Sequence, residues 1–253
     1  MRALVVDAGN SKVALASWQD RAGTDPERLV RLRQDATPGD SQKLHAWLAI
    51  LSQVMRQQVC PQLILSSVVP RITAALREAL PDCVVIDHNL AFPFGVGVDE
   101  PAEVGADRYC NMAAAIQEGY TDALVIDLGT ATTFDLLSNS VFVGGLIAPG
   151  MALAASMLGE QAARLWPVDF APGPLEAGTN TEMALRTGSY HVAVRGVLST
   201  ARALLARYGE RPVILTGGLA RFLEAPGWQH RPDWTLWGAV YLGKPVIRQP
   251  PSS

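Results

Sequence analysis

The chain has 253 residues, 49% of them hydrophobic and 18% charged, which supplies one large or two small cores and leaves little room for disorder beyond the ends. A formal net charge of −3 without a long Lys/Arg cluster lacks the basic stripe that nucleic-acid binding needs. Cys60, Cys83 and Cys110 are far apart and outside any Cys-x-x-Cys or Cys/His cluster, so neither a zinc site nor a disulfide framework is expected.

The opening run Ala3-Leu4-Val5-Val6 is too short for a secretory leader, and no stretch approaches the about 18 apolar residues of a membrane span. A soluble protein of the reducing cytoplasm is expected. The run reads as a buried strand stopped by Asp7-Ala8-Gly9-Asn10-Ser11, with residues 13–18 as the returning strand. After a polar turn around residues 23–25, residues 29–33 add a third strand. Residues 42–58 place Leu44, Trp47, Leu48, Leu51 and Met55 at helical spacing. Strands over 63–67 and 83–87 flank a helix over 72–80, an order that puts helices beside a mixed sheet.

The pattern then restarts. Residues 123–126 form a buried run stopped by Asp127-Leu128-Gly129-Thr130, residues 132–137 return, and Ser138-Asn139-Ser140 turns the chain into 141–143. Asp-x-Gly-[Asn/Thr] recurs 120 positions apart in the same setting, which points to two related halves, residues 1–119 and 120–253. Pro149-Gly150 reads as the turn before a helix. A helical stretch over 181–208 contains Gly188 and Gly196, each costing about 1 kcal/mol relative to Ala, so close packing or a helix break is expected there. Residues 213–215 are a last strand, Asp233 is placed to cap a helix over 234–242, and residues 248–253 read as a frayed tail.

Glycine lets a backbone approach a ligand closely, and successive turn amides form a positive concavity suited to an anion. Two such turns facing one another would clamp a polyphosphate, with a hard cation such as Mg²⁺ between its oxygens and the Asp7 and Asp127 carboxylates. A single Asp-x-Gly turn is ordinarily a strand end whose Asp caps nearby amides; its recurrence, and the crowding of Thr130, Thr132 and Thr133, favour a site. Thr216-Gly217-Gly218-Leu219 lets the backbone lie against a planar base or reach a phosphate at a helix start. In Gly105-Ala106-Asp107-Arg108, Asp107 is a candidate acceptor of an alcohol proton and Arg108 a two-pronged partner for a carboxylate. The plainer alternative makes Asp107 a helix cap and Arg108 a solvated first-turn residue. His45, His88, His191 and His230 are isolated, Trp228, Trp234 and Trp237 are expected to pack the C-terminal helix, and Arg28, Arg31 and Arg33 form a solvated strand face.

A phosphate loop, a second phosphate loop and a nucleoside loop in this order resemble the actin-like ATPase superfamily. Within it, Asp7-Ala8-Gly9-Asn10-Ser11, Glu103-Val104-Gly105-Ala106-Asp107-Arg108, Asp127-Leu128-Gly129-Thr130-Ala131-Thr132-Thr133 and Gly144-Gly145-Leu146-Ile147-Ala148-Pro149-Gly150 look like type III pantothenate kinase. Gly178-Thr179-Asn180-Thr181 extends the match. The resemblance implies an α/β fold of two duplicated actin-like, ribonuclease H-like halves, their mixed sheets flanked by helices, with an ATP cleft between them. It implies phosphorylation of pantothenate by ATP at the start of coenzyme A biosynthesis. By the same resemblance Asp7, Ala8, Gly9, Asn10, Ser11, Lys12, Val13 and Ala14 wrap the ATP phosphates, and Thr130 contacts ATP. Gly105, Ala106, Asp107 and Arg108 hold pantothenate, with Asp107 as base. Asp127 holds a monovalent cation, potassium or ammonium, in addition to Mg²⁺, and Thr181 reaches the substrate from the neighbouring subunit of a homodimer. The chain departs from the family pattern at Val98, where a tyrosine is common, at Thr179, where Lys is frequent, and at Met183, where Glu is frequent. A regulatory or accessory protein of the same fold, and a kinase for another small alcohol, are the competing functions.

Overall fold

A computed structural model of the protein describes residues 2–20, 28–58, 62–161 and 164–248. Cys60, the turn expected around 23–25 and the tail beyond 248 lie outside the described residues. The chain divides into two units, the described residues of Met1–Tyr120 with Asp233–Ser253, and those of Thr121–Pro232.

In the first unit, β1 (Arg2–Ala8) is buried on both faces, which is why its sequence is an unbroken apolar run rather than an alternating one. It pairs antiparallel with β2 (Lys12–Gln19), which pairs antiparallel with β3 (Arg28–Ala36). On its other side β1 pairs parallel with β4 (Gln62–Ser67), and β4 with β5 (Val84–Val85), giving the order β3-β2-β1-β4-β5. One sheet face carries Leu4, Val6, Leu15, Leu63 and Leu65. It is covered by α1 (Ser41–Gln58) through Trp47 and Leu51 and by α2 (Pro70–Ala79) through Ile72 and Leu76. The short strand β6 (Gly95–Val96) and a 3-10 turn, Pro101–Glu103, lead into α3 (Ala106–Gln117), half of whose buried residues are alanine.

The second unit repeats this plan. β7 (Ala123–Leu128), β8 (Ala131–Ser138) and β9 (Val141–Pro149) form an antiparallel meander. Asn139 and Ser140 turn the β8–β9 hairpin at φ 49° and 60°, the left-handed pair that matches strand twist. β10 (Val213–Thr216) pairs parallel with β7, and β11 (Gln229–His230) with β10. These strands run β9-β8-β7-β10-β11, the order of the first unit again. The duplication legible at Asp7 and Asp127 therefore extends to the whole strand connectivity. Under the sheet, Ile126, Leu128, Phe134 and Leu136 meet Met151 of α4 (Met151–Gln161) and Val197, Ala201 and Leu204 of α5 (Thr181–Tyr208). α5 runs unbroken for 28 residues, and a methyl group at Gly188 or Gly196 would enter open space, so the break or close packing expected there is absent from the chain itself.

The last helix, α6 (Trp234–Arg248), belongs to the first unit, whereas the sequence reading placed it with residues 120–253. Its packing on α3 explains the difference. Gly238 lies so close to α3 that a Cβ would collide with the Cys110 carbonyl. Trp234 Nε1 donates to the Asn111 carbonyl at 3.0 Å, and the Thr235 hydroxyl donates to Asn111 Oδ1 at 2.9 Å, all within buried surroundings. The carboxylate of Asp233, expected to cap this helix, instead pairs with Arg31 on β3, while its carbonyl accepts from the Trp237 amide at 2.9 Å. Among the described residues Cys83 and Cys110 are free, and no helix is long and apolar enough to cross a membrane. A Gly238→Ala variant must push α6 off backbone rather than off a flexible side chain, and should lose about 1–3 kcal/mol of stability. A thermal or urea melt matching the parent would contradict this packing.

Candidate active site

Asp7 is the last odd-numbered residue of β1 and so faces away from the α1–α2 core, onto the side that α3 and α6 cover. Its register partner on β4 is Ser66, fully buried, whose hydroxyl donates to Asp7 Oδ1 at 3.0 Å. Burial raises the Asp7 carboxyl to about 7, the Asp107 carboxylate adds to the rise, and the Ser66 hydroxyl and Arg31 oppose it. Beyond Asp7 the chain makes a tight turn in which the Gly9 amide donates to the Lys12 carbonyl at 2.9 Å. Asn10, Ser11 and Lys12 are exposed there, while Val13 and Ala14 are buried as β2 begins.

Gly105 precedes α3 in extended conformation, and Asp107 lies in the first helical turn. The Asp107 side chain bends back over the helix start, with Oδ1 accepting from the Arg108 amide at 2.8 Å. This explains the glycine, because a Cβ at position 105 would come within 2.5 Å of Asp107 Oδ1 and 3.1 Å of Val68. Burial also raises the Asp107 carboxyl, against the Arg108 amide and guanidinium. Asp107 is thus both a helix-start acceptor and an electrostatic neighbour of Asp7, so the two readings of it offered by the sequence are compatible. Next to it the buried Cys110 thiol is held well above its usual range by burial and by Asp7. Tyr109 anchors the approach to the motif: its hydroxyl donates to the Pro101 carbonyl at 2.7 Å, and its ring stacks on Phe92 at 4.4 Å.

In the second unit, Asp127 ends β7 with Thr133 of β8 and Thr216 of β10 as register partners. The turn after it is closed by the Gly129 amide on the Ala131 carbonyl, and the Gly150 amide binds the Thr130 carbonyl, both at 3.0 Å. Gly217, at φ +88°, lays its backbone directly against Asp127 Oδ1 and Leu128, a conformation and an approach that any side chain would block. The Leu219 amide then donates to the Leu128 carbonyl at 3.0 Å. The structure therefore brings together Asp127, Thr130 and the Thr216-Gly217-Gly218-Leu219 turn, and separately Asp7–Ala14 with Gly105, Ala106, Asp107 and Arg108. Thr181 stands elsewhere, exposed at the head of α5, whose start is capped by Asn180 Oδ1 accepting from the Met183 amide at 2.9 Å. Val98 lies half-buried in the loop before the Pro101–Glu103 turn. Ser66 was not singled out by sequence reasoning; the signal for it was Ser66-Ser67 ending an otherwise apolar strand.

Two α/β units of identical strand order, each with an Asp-x-Gly turn after its central strand, define an actin-like fold. Solved structures share that fold: a candidate Baf family transcriptional activator from Campylobacter jejuni has a TM-score of 0.56 at 19% identity, covering 97% of this chain and 100% of its own. A candidate N-acetylmannosamine kinase from Listeria monocytogenes has a TM-score of 0.53 at 11% identity, covering 98% and 100%. The chain belongs to the type III pantothenate kinase family, whose sequence profile matches residues 3–203. A type III pantothenate kinase of Thermomicrobium roseum is 35% identical over 233 residues, 87% of each chain, and one of Roseobacter denitrificans is 31% identical over 264 aligned positions, 95% of this chain and 97% of its own.

The Asp7 carboxyl sets a pH dependence of stability. Because its folded value, about 7, lies above the ordinary carboxylate range, the native state holds more protons than the unfolded chain between roughly pH 4 and pH 7. Stability is therefore lost as pH rises through that window. Asp7→Asn should melt higher than the parent at pH 8, with the gain narrowing as pH falls toward 4. A gain independent of pH, or a loss at pH 8, would show that Asp7 ionises normally in the fold.

Proposed function

We infer that this chain is a kinase that transfers the γ-phosphoryl group of ATP to pantothenate, giving 4′-phosphopantothenate at the first step of coenzyme A biosynthesis. Family membership along most of its length carries this reading, because the fold and the phosphate turns alone do not fix the acceptor. In our reading the turn amides and side chains of Asp7, Ala8, Gly9, Asn10, Ser11, Lys12, Val13 and Ala14 bind the ATP phosphates, with Thr130 as a further ATP contact. Gly105–Arg108 holds pantothenate, and Arg108 offers a planar two-pronged donor to its carboxylate. Asp107 accepts the proton of the pantothenate hydroxyl as that oxygen bonds to the γ-phosphorus and the bond to the ADP oxygen breaks. A raised carboxyl suits this role, since it accepts a proton more readily than an ordinary aspartate.

Mg²⁺ and a monovalent cation, potassium or ammonium, complete the proposal. Among the described residues no three acidic, His or Cys groups converge as a cage. That donor set fits Mg²⁺ held mainly by phosphate oxygens and water with Asp7 nearby, the usual arrangement for this ion. Asp127, a single carboxylate flanked in register by two threonines, suits a cation of lower charge. When bound, the ions neutralise phosphate charge.

The second unit also exposes apolar side chains beyond ordinary need, including Ile147 at 67%, Met157 at 46% and Val192 at 74%. On α5, Gly188, Val192 and Gly196 repeat at four-residue spacing with open space above both glycines. We read this stripe as a homodimer face that brings Thr181 to the partner's pantothenate, in a cytoplasmic enzyme.

Two measurements test these assignments. ADP release should depend on pantothenate and not on hexoses or glycerol, and Asp107→Asn should keep ATP binding while losing at least about a hundredfold in turnover. Turnover equal to the parent would remove Asp107 as base, and no pantothenate-dependent ADP at any potassium concentration would favour a regulatory protein of this fold. Separately, Val192→Asp should convert a dimer to a monomer in light scattering and raise the pantothenate KM. A variant that remains dimeric would place the interface elsewhere.

A further inference from the structure

We infer that Thr37 is a positioning residue for the turn Gly9–Lys12, and that Arg71 holds Thr37 in place. The inference rests on the reading of that turn as the ATP-phosphate site. Thr37 follows β3 and lies 28 residues from the turn, yet it grips it twice. Its hydroxyl donates to the Gly9 carbonyl at 2.6 Å, and its amide donates to the Ser11 carbonyl at 3.0 Å. The Gly9 amide, bonded to the Lys12 carbonyl, occupies a third carbonyl oxygen.

The consequence follows from peptide planarity. In a trans peptide the carbonyl and the next amide N–H point in opposite directions. Fixing the Gly9 carbonyl toward Thr37 aims the Asn10 N–H away from Thr37, and fixing the Ser11 carbonyl does the same for the Lys12 N–H. A turn that binds phosphate must present N–H groups, because a carbonyl rotated into their place would repel the phosphate oxygens. Asn10 and Ser11, at the centre of the turn, are exposed, and a bond that holds the carbonyls restrains such a rotation. Thr37 supplies that restraint from the side opposite the amides.

Thr37 is itself held. Arg71, at the start of α2, donates to the Gly39 carbonyl at 2.6 Å and to the Pro38 carbonyl, bracing the two residues after Thr37. On the far side Asp40 caps α1, accepting from the Lys43 amide through Oδ1 at 2.8 Å. Pro38 is buried and fixes its own φ, so the segment from Thr37 to Asp40 is anchored at every residue. The restraint thus runs from α2 through the β3–α1 loop to the phosphate turn.

Thr37→Val keeps the shape and the backbone amide and removes only the hydroxyl. It should raise the KM for ATP about tenfold, with the KM for pantothenate and the thermal midpoint little changed. Thr37→Ser, which restores the hydroxyl, should recover the parent ATP KM, and Arg71→Met should raise it by a smaller factor, about threefold. Equal ATP KM in Thr37→Val and parent, or failure of Thr37→Ser to recover it where Thr37→Val lost it, overturns the inference. Should Thr37→Val fold poorly, the Arg71→Met and Thr37→Ser values decide by the same criteria. Amide NMR of the parent separates this from the underlying reading: if ATP leaves the Gly9, Asn10 and Ser11 amides unshifted, the turn is not the phosphate site, whatever Thr37 does.

Discussion

A carboxylate at the end of a buried central strand has to be given partners, because an ionised group in such surroundings costs several kcal/mol when left alone. This chain meets that requirement twice by the same construction. Asp7 and Asp127 each end the middle strand of a five-stranded arrangement, with an antiparallel hairpin strand on one side and a parallel strand on the other. On the parallel side each has a hydroxyl residue in register, Ser66 in one unit and Thr216 in the other. Strand order, turn position and the placement of glycine all follow from keeping that acid at the strand end, with backbone amides of the next turn beside it.

The two copies have diverged in what surrounds the acid. Around Asp7 the additional groups are ionisable or nucleophilic: Asp107, the Cys110 thiol and, more distantly, Arg31. Around Asp127 they are backbone and threonine, with Gly217 pressed against the carboxylate. The same strand-end acid thus has ionisable neighbours in one unit and a close-packed glycine turn in the other.

Much of this was legible in the sequence because buried strands and glycine turns write themselves locally. The runs at Ala3-Leu4-Val5-Val6 and 123–126, the Asp-x-Gly turns and the helix over 181–208 depend on residues adjacent in the chain, and the structure has them. What was not legible depends on contacts between distant segments. The return of α6 to the first unit is set by Gly238 meeting the Cys110 carbonyl and by Trp234 and Thr235 meeting Asn111, more than 120 positions away. No local pattern encodes such pairing. The strand expected over 141–143 continues to Pro149 through a ladder with β8 in which Gly145 fits opposite Asp135. Gly188 and Gly196 misled in the other direction, since an exposed helix tolerates glycine when the rest of its face is packed on a core.

The first unit is assembled from both ends of the chain, which links the position of Asp107 to residues that come last in sequence. α3 carries Asp107 in its first turn and is gripped by α6 one turn later, at Cys110 and Asn111. The Gly9–Lys12 turn is braced from the β3–α1 loop and from Arg71 of α2. The two supports meet at Asp7, whose strand α6 also covers and whose carboxyl the Asp107 carboxylate raises. A change in α6 that moves Asp107 therefore reaches the strand end from which the turn begins, whereas a change at Thr37 or Arg71 acts on the turn itself.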